Sequence, residues 1–248
     1  MQQLIHAVRY GQGGKQLVLI HGNMASANWW RPVGESLSDS YTLLAVDLRG
    51  FGDSPDTPEQ VTLADHAKDI YDLVQQEGLE NFVLVGHSLG GGVAMQFAAQ
   101  YPDLLAGLVL VDSAPVGGMK DIDYNLLEMV VNNKELSMAS LKGTLTKVPH
   151  DAFLNELLAD GLRSLPAVIP NTRALDGADF KAAAASFAKP VLVIHGSQDI
   201  LMPLAESEKT ALIYPQAMLT IIPDVGHSPQ VEDTATFVAA LEDFINKL

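Results

Sequence analysis

The stretch Phe82-Val83-Leu84-Val85-Gly86-His87-Ser88-Leu89-Gly90 decides the fold of this chain. Residues 82–85 form a predicted buried strand, and a helical stretch follows at residues 93–100. A G-x-S-x-G motif between a strand and a helix is typical of a nucleophile elbow, the sharp turn that lifts a serine hydroxyl out of a sheet. The residues two positions before and after Ser88 must pass close to other backbone, which glycine allows because it has no Cβ. The pattern therefore makes Ser88 a candidate nucleophile at the carboxyl end of a strand.

Five further apolar runs have the length of buried strands, and helical stretches separate them. The runs are residues 16–20, 41–46, 108–111, 191–194 and 218–222. Near-continuous apolar strands are typical of a parallel sheet that is covered on both faces, and their alternation with helices predicts a doubly wound α/β fold. We expect residues 4–10 and one more short strand to form an antiparallel edge, which gives a mostly parallel sheet of eight strands.

Two helices have clear signals at their ends or along one face. An apolar stripe at helical spacing runs from Leu63 to Val74, with Thr62 as its N-cap and Gly78 as its terminator. A second stripe at residues 237–245 predicts a closing helix.

Residues 117–188 interrupt this alternation. The segment is rich in Leu, Met and Ala and contains no convincing strand, and it is too long for a bare loop between two strands of a sheet. We predict a helical cap at 117–188, inserted before the strand that carries Asp199. The core would then consist of residues 1–116 and 189–248.

The composition narrows the class of function. The 248 residues include 30 acidic and 15 basic ones, a formal net charge of −15, which disfavours binding to nucleic acid or to anionic membrane surfaces. There is no cysteine, so disulfides and thiolate metal sites are excluded. The seven histidines form no H-E-x-x-H motif, and no apolar run approaches the roughly 18 residues of a membrane span. Residues 1–5 show no signal peptide. We expect a cytoplasmic protein with no metal, no other cofactor and no membrane span.

Candidate partners of Ser88 follow other predicted strands. A serine hydroxyl needs a base to remove its proton, and His227 follows the last strand while Asp199 follows the preceding one. The order Ser, Asp, His matches a known catalytic arrangement. The backbone amides of Leu89 and Asn23 are candidates for the two donors that an oxyanion requires. Asp112 is an alternative acid, because it also follows a strand.

These motifs together resemble the α/β-hydrolase superfamily along essentially the whole chain. The matching pieces are Leu19-Ile20-His21-Gly22, residues 47–54 (Asp-Leu-Arg-Gly-Phe-Gly-Asp-Ser), Gly86-His87-Ser88-Leu89-Gly90-Gly91, residues 195–199 (His-Gly-Ser-Gln-Asp) and Gly226-His227. The resemblance is to the capped branches of esterases, lactonases, C–C bond hydrolases and haloalkane dehalogenases. It implies a hydrolase with an acyl-enzyme on Ser88, and it implies that residues 47–54 form a structural turn. A serine at the elbow argues against dehalogenation, which uses a carboxylate there.

The predicted activity is hydrolysis of carboxylic esters with small to medium apolar groups, and the predicted partner is a small-molecule ester or lactone. Alternatives are a lactonase, a C–C bond hydrolase that binds a substrate carboxylate through Arg163 or Arg173, and a hydrolase-fold receptor with slow turnover. Substrate-lining candidates are the large apolar residues near the oxyanion loop and in the predicted cap, namely Met24, Trp29, Trp30, Met119, Leu126 and Met129, with Leu127, Met138, Leu141, Leu145 and Leu162 as further apolar residues of the cap.

Overall fold

A single mostly parallel sheet organises the protein, whose computed structural model describes residues 5–248. The strands are β1 (Ala7–Tyr10), β2 (Lys15–Ile20), β3 (Tyr41–Val46), β4 (Phe82–His87), β5 (Leu105–Val111), β6 (Val191–Gly196) and β7 (Ala217–Ile222). Their spatial order is β1-β3-β2-β4-β5-β6-β7. Among the strands of residues 5–248, only β1 runs antiparallel, against β3. The central strand β2 pairs with β3 on one side and β4 on the other, which aligns Ile20 with both Val46 and Gly86.

The sheet has seven strands within residues 5–248, one fewer than the eight predicted. The difference lies at the antiparallel edge, where Ala7–Tyr10 is the one strand before β2 in the described range. Gly11 and Gly13 pack directly on the backbone of residues 38–41, and a Cβ at Gly13 would lie 2.0 Å from the carbonyl oxygen of Ser40. The connection into β2 is therefore too short and too tightly packed for a further strand. Leu4, the start of the predicted edge segment, lies outside the described residues.

Helices cover both faces of the sheet. They are α1 (Arg31–Leu37), α2 (Leu63–Gln76), α3 (Leu89–Gln100), α4 (Tyr124–Val131), α5 (Lys134–Gly143), α6 (Asp151–Arg163), α7 (Leu165–Arg173), α8 (Lys181–Ser186), α9 (Leu204–Ile213), α10 (Pro229–Glu232) and α11 (Thr234–Ile245). Buried residues of α2, α3 and α8 form a core on one face, and those of α1 and α11 form a core on the other. None of the helices within residues 5–248 has the length and apolar character needed to cross a membrane.

The two helices with clear sequence signals are confirmed. Thr62 forms a capping box with Asp65 at the start of α2, which satisfies backbone N–H groups that have no partner inside the helix. Gly78 follows the helix with φ of 64°, the left-handed conformation that glycine adopts without strain. The closing helix α11 buries Phe237, Leu241 and Phe244.

Five helices, α4 to α8, lie between β5 and β6, and all of them fall within the predicted cap segment at 117–188. A third apolar cluster joins this insertion to the carboxyl end of the sheet, because Leu141, Leu145 and Leu157 pack with Trp29 and Val231. The insertion thus lies over the end of the sheet where Ser88 is placed. The exact division of the chain into core and cap stays a prediction.

Candidate active site

Ser88 lies at the turn between β4 and α3 in a strained backbone conformation. Its φ and ψ are 54° and −118°, a region that residues other than glycine rarely occupy. The two glycines of the motif explain how the turn closes. A Cβ on Gly86 would lie 2.3 Å from the carbonyl oxygen of Gly90, and a Cβ on Gly90 would lie 2.5 Å from that of His21. The geometry is that of a nucleophile elbow.

His227 and Asp199 form a hydrogen-bonded pair at the same end of the sheet. The His227 Nδ1 and Asp199 Oδ2 atoms are 2.7 Å apart, and both side chains are largely buried. The backbone N–H groups of Leu201 and Met202 donate to the other Asp199 oxygen, at 2.7 and 3.2 Å. The carboxylate is therefore fixed in position and orients the imidazole.

Burial and pairing act in opposite directions on the pKa values of this pair. Burial alone would raise the pKa of Asp199, but the hydrogen bond and positive charge of His227 outweigh it, so the net shift is downward. Burial likewise would lower the pKa of His227, yet the Asp199 carboxylate raises it above its ordinary value of 6.5. The pair therefore favours an ionised carboxylate beside a basic imidazole.

Asp112, the alternative acid, lies close to the pair without contacting His227 through a hydrogen bond. One carboxylate oxygen of Asp112, one of Asp199 and one ring nitrogen of His227 lie within 4.8 Å of one another. Asp112 Oδ1 accepts the Gly196 N–H at 3.0 Å, and its other oxygen is buried without a partner in residues 5–248. Burial raises the pKa of Asp112 to about 6. The geometry favours Asp199 over Asp112 as the partner of the imidazole.

The residues predicted to supply the oxyanion donors lie near Ser88, since Leu89 follows it in the chain and Asn23 lines the same cavity. Leu89 is the first residue of α3, so its N–H belongs to the positive end of a helix. Gly22 packs against the elbow, and a Cβ there would lie 2.9 Å from the Ser88 Cβ. Asn23 follows, and its side-chain amide donates to Thr172 Oγ1 at 2.8 Å. That bond connects the loop after β2 to α7 of the insertion.

A cavity of about 220 Å³ opens on Ser88 and His227. Its lining is mostly apolar and comes from both the core and the insertion: Asn23, Met24, Ala25, Trp29, His87, Ser88, Leu127, Ser140, Leu141, Thr144, Val168, Leu201, His227 and Ser228. The structure therefore places the predicted lining residues Met24 and Trp29 in this cavity. It also brings Leu127 and Leu141 of the insertion there.

The other four lining candidates lie elsewhere. Trp30 is fully buried in the core beneath α1 and α11, because the short helix at Ala27–Trp30 turns consecutive tryptophans to different sides. Met119 lines a separate cavity beside Lys181. Leu126 and Met129 lie on the outer face of α4 and are 52% and 55% exposed. These four predictions are corrected: only the inner face of α4, through Leu127, reaches the cavity.

The remaining polar candidates do not line the cavity. Arg163 pairs with Asp160, and Arg173 lies over the Tyr124 ring; neither lines the cavity. Asp47 accepts the backbone N–H groups of Ala27 and Asp53, which agrees with a structural turn at residues 47–54.

Two histidines within the predicted motifs also make polar contacts with other parts of the fold. The His87 ring is paired through Nε2 with the His227 carbonyl oxygen, at 2.7 Å. Burial, followed by the nearby positive charge of His227, lowers the pKa of His87 to about 3. His195 Nδ1 lies 3.0 Å from the Ser207 hydroxyl oxygen.

Comparison with known proteins identifies the family of this chain. Residues 15–234 match the family described as the alpha/beta hydrolase fold. The chain belongs to this family. An esterase from Thermogutta terrifontis is similar in structure, with a TM-score of 0.87 and 27% identity over 98% of this chain and 93% of that one. An esterase from Rhodococcus sp. ECU1013 has a TM-score of 0.83 and 25% identity over 98% and 94%.

A relative with a different activity is similar in sequence. The 2-(acetamidomethylene)succinate hydrolase of Mesorhizobium japonicum is 28% identical over 96% of this chain and 91% of its own length. Members of the α/β-hydrolase family that resemble this chain therefore act on more than one kind of substrate.

Proposed function

We propose that the protein is a serine carboxylesterase in which Ser88, His227 and Asp199 form the catalytic triad. The observation that carries this proposal is the strained elbow at Ser88, which opens into the same cavity as a His227 imidazole held by a buried carboxylate. A strained serine that shares a cavity with an oriented base is the arrangement that nucleophilic acyl transfer requires.

The mechanism has two steps. His227 takes the proton of Ser88 as the hydroxyl oxygen attacks the ester carbonyl carbon, and the N–H groups of Asn23 and Leu89 stabilise the oxyanion. His227 then protonates the leaving alkoxide, which leaves an acyl-enzyme. In the second step His227 takes a proton from water as the water oxygen attacks the acyl carbon, and it returns this proton to the Ser88 oxygen as the acid is released. Asp199 remains ionised and stabilises the imidazolium throughout.

The size and lining of the cavity favour small, apolar acyl or alcohol groups. Its volume of about 220 Å³ is below the usual range of roughly 300–1,000 Å³ for ligand pockets. Leu127, Leu141 and Val168 of the insertion line the cavity, which supports the proposal that the insertion acts as a cap. Since neither Arg163 nor Arg173 lines the cavity, the geometry gives no support for a C–C bond hydrolase that binds a substrate carboxylate through them.

A hydrolysis panel tests the proposal. p-Nitrophenyl esters of two to twelve carbons, acyl-homoserine lactones and aryl lactones would be compared for wild type and Ser88→Ala. We expect short esters to be the best substrates and Ser88→Ala to abolish turnover. A fluorophosphonate probe should label wild type and Ser140→Ala, which removes a different hydroxyl group from the cavity lining, but not Ser88→Ala. Undiminished ester hydrolysis by Ser88→Ala would contradict the triad.

Two other outcomes separate the alternative functions. Preferential turnover of lactones would assign the same triad to a lactonase. A single turnover accompanied by a ligand-induced rise in thermal stability would indicate a receptor.

A further inference from the structure

Glu232, a carboxylate that the proposed mechanism does not use, lies buried beneath the loop that carries His227. It is the last residue of α10 and is 9% exposed. Its two oxygens accept four backbone N–H bonds. Oε1 accepts from Ser228 at 2.9 Å. Oε2 accepts from Gly226 at 2.9 Å, Thr146 at 2.6 Å and Lys147 at 2.9 Å.

The four donors belong to two separate segments. Gly226 and Ser228 flank His227, whereas Thr146 and Lys147 belong to the connection between α5 and α6 of the insertion. The two segments also meet directly, because the His227 N–H donates to the Thr144 carbonyl oxygen at 2.9 Å. One carboxylate therefore joins the loop of the proposed catalytic base to the middle of the insertion.

The hydrogen bonds to Glu232 depend on each other. Hydrogen bonds to an ionised acceptor are roughly twice as strong as neutral ones, and a buried carboxylate that loses its donors is strongly unfavourable. If residues 146–147 moved away, Oε2 would lose two of its three donors. The His227 loop would at the same time lose its contact with Thr144.

We propose that Glu232 is a positioning residue that couples the seating of the insertion on the core to the placement of His227. The proposal rests on the assignment of His227 as the catalytic base. It predicts that the base is correctly placed only while residues 144–147 are docked, so that catalysis depends on a closed insertion.

The negative charge of Glu232 affects the pKa of His227, which can be measured separately from the motion of the two segments. Besides Glu232 on α10, the ionisable groups that face His227 are Asp199 after β6, Asp112 after β5 and His87 at the end of β4. Burial lowers the pKa of His227, while Asp199, Asp112 and Glu232 each raise it, in that order of strength. Loss of the Glu232 charge should therefore lower this pKa, whereas loss of its backbone contacts with the charge retained should leave the pKa near the wild-type value.

The test compares Glu232→Gln, Glu232→Asp and Lys147→Ala. Lys147→Ala is the matched control, since it removes the exposed ion pair with Asp233 from the same connection and leaves the backbone bonds to Glu232. Hydrogen exchange is followed for peptides covering residues 144–147 and 226–228. The pH profile of kcat/KM is measured with a short p-nitrophenyl ester.

We expect Glu232→Gln to speed exchange in both segments together, by on the order of tenfold or more. It should lower kcat by about 10- to 100-fold with little change in KM, and move the acidic limb of the profile to lower pH. Glu232→Asp keeps the charge on a shorter side chain, so it should restore the acidic limb while exchange remains fast. Lys147→Ala should match wild type in both readouts.

Two results would overturn the coupling. One is faster exchange at residues 226–228 alone in Glu232→Gln, or in Glu232→Asp if the glutamine variant does not fold. The other is a wild-type kcat and acidic limb in Glu232→Gln. The exchange measurement does not require turnover. If Ser88→Ala disproved the esterase, the exchange data would still decide whether Glu232 couples the two segments.

Discussion

Replacement of Gly86 by alanine tests whether the tight elbow places Ser88. A Cβ at this position would lie 2.3 Å from the Gly90 carbonyl oxygen and 2.8 Å from the Ala94 Cβ. Real Cβ atoms essentially never approach other heavy atoms closer than 3.0 Å. The first turn of α3 must therefore move by about 0.7 Å to restore a 3.0 Å contact with the Gly90 oxygen. Ser88 and the Leu89 amide lie within the part of the chain that moves.

The expected loss follows from that displacement. Misplacement of a reacting group by about 1 Å can cost on the order of 10²-fold in rate, so we expect kcat to fall by roughly 10- to 100-fold. Overpacking of this kind also costs about 1–3 kcal/mol of stability. The assay is steady-state hydrolysis of p-nitrophenyl butyrate, together with the free energy of unfolding from urea titration.

Gly14→Ala is the matched control, because a Cβ at Gly14 would meet nothing within 4 Å. We expect this variant to keep the wild-type kcat and stability. A Gly86→Ala enzyme that is fully folded and has the wild-type kcat would refute the claim that close backbone packing positions the nucleophile.

Three further predictions concern the triad, the core and the cavity. Asp199→Asn should lower kcat by on the order of 10⁴-fold. It should also move the acidic limb of the pH profile of kcat/KM to lower pH, because it removes the carboxylate that raises the pKa of His227. An acidic limb at the wild-type pH would argue against the pairing of Asp199 with His227. His66→Phe should make the protein less acid-sensitive. Burial lowers the pKa of His66 from 6.5 to about 4, so the wild-type protein loses stability as the pH falls from 6.5 to 4. The total loss is about 3 kcal/mol. Urea unfolding of wild type and variant at several pH values measures the difference. Leu141→Ala should enlarge the cavity, so the ester with the highest kcat/KM should have a longer chain than for wild type. An unchanged order of kcat/KM values would indicate that the acyl group binds elsewhere.

The sequence was most informative where local sterics constrain the backbone. The elbow was predictable because each glycine in G-x-S-x-G meets backbone atoms at 2.3 to 2.6 Å if a Cβ is added, so other residues are excluded there. Thr62 and Gly78 marked the ends of α2 for similarly local reasons. The pairing of Asp199 with His227 was predictable because both follow parallel strands, whose carboxyl ends meet at one edge of the sheet.

The cavity lining was less predictable because helical periodicity does not say which apolar face turns inward. Leu126 and Leu127 are neighbours on an apolar helix, yet Leu126 is 52% exposed and Leu127 lines the cavity. The same ambiguity applies to Trp29 and Trp30, which lie in one short helix and pack into different clusters. Only the packing of the insertion on the core decides between adjacent apolar residues.

Glu232 was missed for a different reason, which also bears on how the site is assembled. Its partners are backbone N–H groups, two of them 85 and 86 residues away in the chain, and backbone donors carry no side-chain signature. A glutamate after G-H-S-P therefore gives no sign from sequence that it contacts the insertion. Since the insertion supplies Leu127, Leu141 and Val168 to the cavity and also contacts the His227 loop through Glu232, changes in the insertion should alter both substrate fit and placement of the proposed base. Exchanging the insertion among members of this family should then affect kcat as well as KM, unless residues 144–147 and Glu232 are kept together.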